Sequence, residues 1–292
     1  MILIGESLNV MSKTIGPAMR NRDAKPIQKM AVSQQEAEMD YIDLNIGPAK
    51  KAGSEMMTWL VETVQEVVDV PISLDTTNVE AMEAGLKAHK GQALINSISC
   101  RPERMDALFP LVKKYDALFV GLLIGVDGIP RDADERAMLA AEMQAKMAEQ
   151  GIEDERVFYD PIVLPVTSQQ DQVQGCTLFM QMVGDLAPES KSNCGLSNVS
   201  NGAPEELRPL LNRVYLAMLM RSGLGAAIVN HAETELVDMA RGRRDEELKL
   251  VHRVMDGEEP DMGALSQEAV DVVKTTRLLM GQSLYSHSWL KL

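Results

Sequence analysis

Aromatic side chains make up only 4% of this chain, and cysteine is limited to Cys100, Cys176 and Cys194. Three cysteines that lie far apart, with no CxxC spacing, argue against a disulfide framework and a thiolate metal site, and suit a reducing cytoplasm. The four histidines, His89, His231, His252 and His287, also lack metal-ligand spacing, so no metal is expected. His231 alone falls at a predicted strand end and reads as a surface or satisfied histidine. Basic residues are outnumbered, 29 against 43 acidic, which leaves a net charge of −14 and disfavours nucleic acid as a partner. No apolar run reaches the ~20 residues that span a bilayer, and Met1-Ile2-Leu3-Ile4 reads directly as a strand. Neither a membrane segment nor a leader is therefore expected. There is no GxxxxGK[ST] loop and no GxSxG elbow. Gly223-Leu-Gly225 resembles part of a dinucleotide fingerprint but precedes its strand instead of following it.

What is present is a repeat. Apolar β-type runs recur at about the 30-residue interval of a βα unit. They read as Ile2–Ile4, Tyr41–Leu44, Pro71–Leu74, Ala93–Ile95, Ala117–Leu123, Val157–Tyr159, Cys194–Leu196 and Ala226–Val229. Helix periodicity fills the intervals, as in Trp59, Leu60, Thr63, Val64, Val67 and Val68, and again over Asp132–Gln150 and Glu205–Arg221. Methionine, 20 residues, fits the gaps of such a core. Alternating β and α predicts a parallel sheet, open or closed. The polar residues favour closure: Glu6 to Asn9, Asp43 to Asn45, Asp75 to Asn78, Asn96-Ser97, Asp160-Pro161 and Ser197-Asn198 each follow a strand. Only a barrel gathers all of these at one mouth. The expectation is a single-domain (β/α)₈ barrel over 1–292, with a charged insertion at 241–263 within or before the last helix. That insertion reads as a solvated loop with charged helix ends, or as a partner-docking element.

A carboxylate can accept two neighbouring N–H donors at once, as on an amide beside an exocyclic amine. Asp75 and Asp160 are placed for this at the mouth, and Asn96 can both donate and accept beside them. Each taken singly also reads as a helix N-cap or Asx-turn. Ser197-Asn198 puts a neutral amide near the carboxylates, or caps a helix near Ala203–Glu206. Asn198 suits electrostatic stabilisation of a proton on a leaving nitrogen better than direct proton donation. Such a mouth is rich in hydrogen-bonding groups and poor in nucleophiles. It binds and polarises while another molecule supplies the nucleophile.

In Ile4-Gly5-Glu6 with Asn9, Asp43-Leu-Asn-Ile-Gly-Pro48, Leu74-Asp-Thr-Thr-Asn78, Ile95-Asn96-Ser97, Tyr159-Asp-Pro161, Gly195-Leu-Ser-Asn-Val-Ser200 and Arg208-Pro-Leu-Leu-Asn-Arg213, the chain resembles the methyltetrahydrofolate:corrinoid protein methyltransferases. The resemblance spans nearly the whole chain and implies a homodimeric, cytoplasmic, pterin-binding barrel related to dihydropteroate synthase. It implies 5-methyltetrahydrofolate or tetrahydrofolate as substrate and cobalamin carried by a separate corrinoid protein, since no Asp-x-His-x-x-Gly pattern stands here. By that resemblance Asp75, Asn96 and Asp160 hold the pterin edge, and Asn198 serves N5 as the catalytic amide. Glu6, Ser197, Asn201 and Arg208 line the same site. Ser7 and Asn201 depart from the acetogenic members, which carry arginine and glutamine there. Dihydropteroate synthase chemistry and a non-catalytic folate-binding subunit are the competing expectations. Asn230-His231-Ala232 stands where the former would place Ser-x-Arg.

Overall fold

The computed structural model describes residues 1–49 and 52–291; Lys50, Lys51 and Leu292, which belong to the expected 1–292 unit, lie outside the described residues. The strands are β1 (Ile2–Asn9), β2 (Tyr41–Gly47), β3 (Ile72–Thr76), β4 (Leu94–Ser99), β5 (Leu118–Leu122), β6 (Val157–Asp160), β7 (Lys191–Ser192) and β8 (Ala226–Val229). Between and after them run α1 (Ile15–Asn21), α2 (Ala24–Glu36), α3 (Gly53–Gln65), α4 (Val79–Ala88), α5 (Pro102–Lys114) and α6 (Ala133–Gln150). They continue as α7 (Gln170–Leu186), α8 (Arg208–Arg221), α9 (Thr234–Ala240), α10 (Asp245–Met255) and α11 (Gln267–Leu279).

All strand pairs are parallel, in the order β8-β1-β2-β3-β4-β5-β6-β7. The ring closes beyond the short β7, where the Ile228 amide donates to the Cys194 carbonyl at 2.8 Å and Gly195 bridges Ile228 in parallel. The open-sheet alternative is thereby excluded, and the fold is a (β/α)₈ barrel. Among the described residues no helix is long and apolar enough to cross a membrane.

Alternation explains both the core and the mouth. Successive residues of a strand face opposite sides of the sheet, so one set looks outward at the helices and the other into the barrel. The outward set packs with the helices into two large apolar clusters. The inward set begins apolar, with Ile4, Leu94, Val120, Phe158 and Ala226 forming a small separate cluster. Continuing two residues along the strands, that same face reaches Glu6, Asn96 and Asp160. The polar groups are thus the upper layer of the barrel filling, on strands longer than their apolar runs.

Two expectations are corrected. The seventh strand is not Cys194–Leu196 but Lys191–Ser192, and Leu196–Ser200 winds as a short 3₁₀ turn. The apolar Cys194 and Leu196 are buried in the helix-facing cluster, which is why they imitate a strand. The charged segment 241–263 is not simply a solvated loop, since Asp245–Met255 within it form α10. That helix buries Leu250, Val251 and Val254 against its neighbours and keeps Asp245, Glu246 and Lys249 outward. Each such burial is worth ~1.5–3 kcal/mol, enough to hold a helix of this length in place.

Candidate functional site

β2, β3 and β4 supply the first part of the mouth. Asn45 on β2 pairs in register with Asp75 on β3, which pairs with Asn96 on β4. Asn45 Nδ2 donates to Asp75 Oδ2 at 2.5 Å, and its own Oδ1 accepts from the Gly47 amide. One layer below, Asp43 is buried and accepts from Ser73 Oγ at 2.5 Å and from Asn96 Nδ2 at 3.1 Å. Burial pushes the Asp75 and Asp43 carboxyls well above the ordinary range. The charge of Asp43 adds to this at Asp75, while the Asn45 bond opposes it. Two buried acids this close cannot both ionise cheaply.

Asp160 closes β6. It is 5% exposed, and both oxygens are held: Oδ1 accepts from the Ile162 amide at 2.9 Å and Oδ2 from Asn193 Nδ2 at 2.8 Å. Burial raises its pKa to about 6, opposed by those bonds, by the Gly195 amide and by the nearby Arg136 charge. The Oδ1 bond is an Asx-turn, so the local reading of this residue holds for one oxygen. None of the three acts as a helix cap: Asn78 caps α4 by accepting from the Ala81 amide, and the N-cap positions of α5 and α7 are Arg101 and Gln169.

The third part comes from β1 and the loops after β7 and β8. Ser197 Oγ donates to both Glu6 carboxylate oxygens, at 3.1 and 3.3 Å. Burial raises the Glu6 pKa against that bond, and the Glu233 charge adds to the rise. Asn198 is exposed at the mouth, its Oδ1 accepting from Asn201 Nδ2 at 3.2 Å. Arg208 braces this turn from the start of α8, with Nε to Ser200 Oγ at 3.1 Å and Nη2 to Asn201 Oδ1 at 3.4 Å. Ser197-Asn198 caps no helix; the 3₁₀ turn Glu205–Leu207 has Pro204 at its N-cap and no side-chain cap.

Each of the eight residues singled out in the sequence lies at this one end of the barrel. Their direct contacts fall into two groups: Glu6 with Ser197, and Asn198 with Asn201 and Arg208. Asp75, Asn96 and Asp160 share no hydrogen bond with one another, being linked instead to Asn45, Asp43 and Asn193. Those three, with Glu233, were missed as site residues. For Asp43 and Asn45 the signal was available in the alternation Tyr41, Asp43, Asn45 on one strand face. Asn193 was hidden by the misplaced seventh strand. It is wholly buried, and its Oδ1 has no partner. Glu233, in the loop after β8, accepts from Asn212 Nδ2 at 3.0 and 3.1 Å. His231 is satisfied as expected, with Nδ1 2.8 Å from Ser7 Oγ and Nε2 3.2 Å from Ser33 Oγ.

Among the described residues no three His, Cys, Asp or Glu side chains gather as a metal site. The three thiols are buried, and burial raises their pKa values, so none is a ready nucleophile. The described mouth therefore offers fixed acceptors, the exposed amides of Asn198 and Asn201 and the Arg208 cation, which suits a flat polar heterocycle.

Residues 5–241 match the family of pterin binding enzymes. A methylcorrinoid:tetrahydrofolate methyltransferase of Eubacterium limosum is 27% identical over 239 residues, covering 81% of this chain and 88% of that protein. The methionine synthase of Mycobacterium leprae is 26% identical over 240 residues, covering 78% of this chain but only 20% of that much longer enzyme. Among solved structures, dihydropteroate synthase from Stenotrophomonas maltophilia superposes with a TM-score of 0.61 at 16% identity, covering 84% of this chain and 92% of that one. Dihydropteroate synthase from Xanthomonas albilineans gives 0.62 at 18%, covering 84% and 93%. At those identities the structures establish the shared barrel alone. The sequence match over most of the chain, joined to a barrel with a polar mouth, places this protein in the pterin binding enzyme family.

Proposed function

We propose that this chain transfers the N5-methyl group of 5-methyltetrahydrofolate to the Co(I) of a separate corrinoid protein, or runs the same transfer in reverse. The observation that carries the reading is the pairing of buried and half-buried acceptors with an exposed neutral amide, in a mouth that shows no activated nucleophile among the described residues. The relative that matches along most of the chain bears the corresponding activity in its name.

In this reading Asp160 meets the paired N–H donors of the pterin edge. Asp75 and Asn96 face the other polar atoms of the ring, and Glu6, Ser197 and Asn201 line the remainder of the pocket. Asn198 lies near N5. As the methyl leaves, N5 gains electron density and must take up or share a proton, and the Asn198 carboxamide stabilises that state by hydrogen bonding. Arg208 holds the loop that carries Asn198 and meets the folate or the partner. The cobalt nucleophile comes with the corrinoid protein, which approaches the same barrel end. Homodimeric assembly and residence in the cytoplasm belong to the same proposal, as does the absence of nucleic-acid binding, in keeping with the net charge of −14.

The test combines calorimetric titration of the protein with 5-methyltetrahydrofolate and loss of Co(I) absorbance when cob(I)alamin is added. Stoichiometric binding with methyl transfer is expected. Asn198→Ala should lose about 100-fold in rate, the scale of one removed transition-state donor, with a much smaller loss of affinity. Absence of heat would remove the pterin assignment. Equal losses of rate and affinity would leave a binding role for Asn198.

A further inference from the structure

Behind Asp160 lies a buried guanidinium. Arg136 on α6 is fully buried, the largest side chain in the molecule to be so. It sits in the stripe that α6 turns inward, with Ala133, Ala140, Met143 and Met147. Each of its three nitrogens has a partner: Nε donates to the Pro161 carbonyl at 2.8 Å, Nη1 to the Asp132 carbonyl at 2.9 Å and Nη2 to Gln172 Oε1 at 2.8 Å. All three acceptors are neutral, and among the described residues no carboxylate pairs with it. Gly175 on α7 makes the room, for a Cβ there would lie 3.1 Å from Nη1.

For stability alone this arrangement is a poor choice. A buried, unpaired cation is costly, and an apolar residue of similar size serves a helix interface as well or better. A glycine within a helix adds a further cost. What the guanidinium grips is the turn that presents Asp160. Pro161 follows that carboxylate directly, and Ile162 supplies the amide on its Oδ1 while holding φ at +65°, a conformation uncommon for a β-branched residue. We infer that Arg136 is a positioning residue for Asp160: it clamps the Asp160-Pro161-Ile162 turn and places a fixed positive charge behind the carboxylate that receives the pterin edge.

This inference rests on the folate reading for its consequence but not for its geometry, so the test has two arms. The charged and titratable groups that face Asp160 are Arg136 and the thiols of Cys176 and Cys194. The first arm follows the Asp160 carboxyl carbon by NMR through a pH titration without ligand, assigned with D160N. In R136M the midpoint should move up by about one pH unit, as expected when a neighbouring cation is removed. R136K keeps the charge and should hold the midpoint near the wild type. The second arm measures 5-methyltetrahydrofolate affinity. R136M and R136K should each weaken it about tenfold, the scale of a lost charge-assisted hydrogen bond, because both lose the fork on Pro161. In a D160N background neither should weaken it further. An unmoved midpoint in folded R136M overturns the electrostatic part. Losses that multiply independently with D160N overturn the positioning itself. Should R136M not fold, R136K and Q172A carry the second arm. Should the wild type bind no folate, the proposed function falls while the NMR arm still decides the role of Arg136.

Discussion

At the scale of single residues, the mouth is defined by acids that are reluctant to ionise. Glu6, Asp43, Asp75 and Asp160 are all raised, in each case chiefly by burial. A carboxyl whose native pKa lies above its unfolded value binds more protons folded than unfolded between the two. Stability from it is complete below the unfolded value, near 4, and is lost as pH rises through the native one. Asp75 is driven upward by both burial and Asp43, so its share is lost as pH moves from the ordinary carboxylate range through neutrality. Asp75→Asn removes that share. Unfolding measured in urea at about pH 5.5 and pH 8 should therefore show a smaller loss of stability in the variant than in the wild type. Equal losses would mean that Asp75 titrates normally. The same acids show what residue types can and cannot reveal. Asp75, Asn96 and Asp160 were legible because they interrupt apolar strands. Asp43 and Asn193 act one layer deeper, and their partners are set by register and barrel closure, which no local pattern encodes.

At the scale of elements, β8 was legible to the residue, β5 was read one residue long at each end, and the mouth ends of β1, β2, β3, β4 and β6 were read short for one reason. Apolar periodicity marks a strand only as far as its inward face is apolar, and here that face turns polar at the mouth. α10 was misread for a related reason. Six acidic and basic residues in Arg241–Glu247 look like a loop, yet several are consumed in pairing between helices. Arg213 of α8, with its side chain 5% exposed, meets Glu247 at 2.6 Å through Nε and also pairs with Glu235 of α9. Arg244 meets Glu247 at 2.6 Å and Glu268 of α11 at 2.5 Å. Removing one member of a buried pair strands the other. Arg213→Ala should thus cost about 3–5 kcal/mol in urea unfolding, whereas Arg244→Ala, on a side chain 23% exposed, should cost about 1 kcal/mol or less. Folate affinity of the folded Arg213→Ala protein should be unchanged, although Arg213 closes a motif that the resemblance ties to ligand binding. A selective loss of affinity would place Arg213 in the site.

At the scale of the whole molecule, the site has no local existence. Its side chains come from β1, β2, β3, β4 and β6 and from the loops after β7 and β8, so it forms only when the ring closes between Cys194 and Ile228. A ligand held by such a site binds the native state and nothing less, and its binding energy adds to global stability. At 100 times its dissociation constant the gain is about 2.7 kcal/mol. For a chain of this size that amounts to a melting-temperature rise of about 5 °C. Asp160→Asn, with affinity lowered about tenfold, should show roughly half that rise at the same ligand concentration, because the gain depends on the logarithm of the occupancy ratio. Scanning calorimetry with 5-methyltetrahydrofolate reads both proteins, and the transition should move as one peak. A ligand that shifted only part of the heat-absorption profile would mean that some strands unfold without disturbing the site. The mouth would then be the property of a sub-structure and not of the closed barrel.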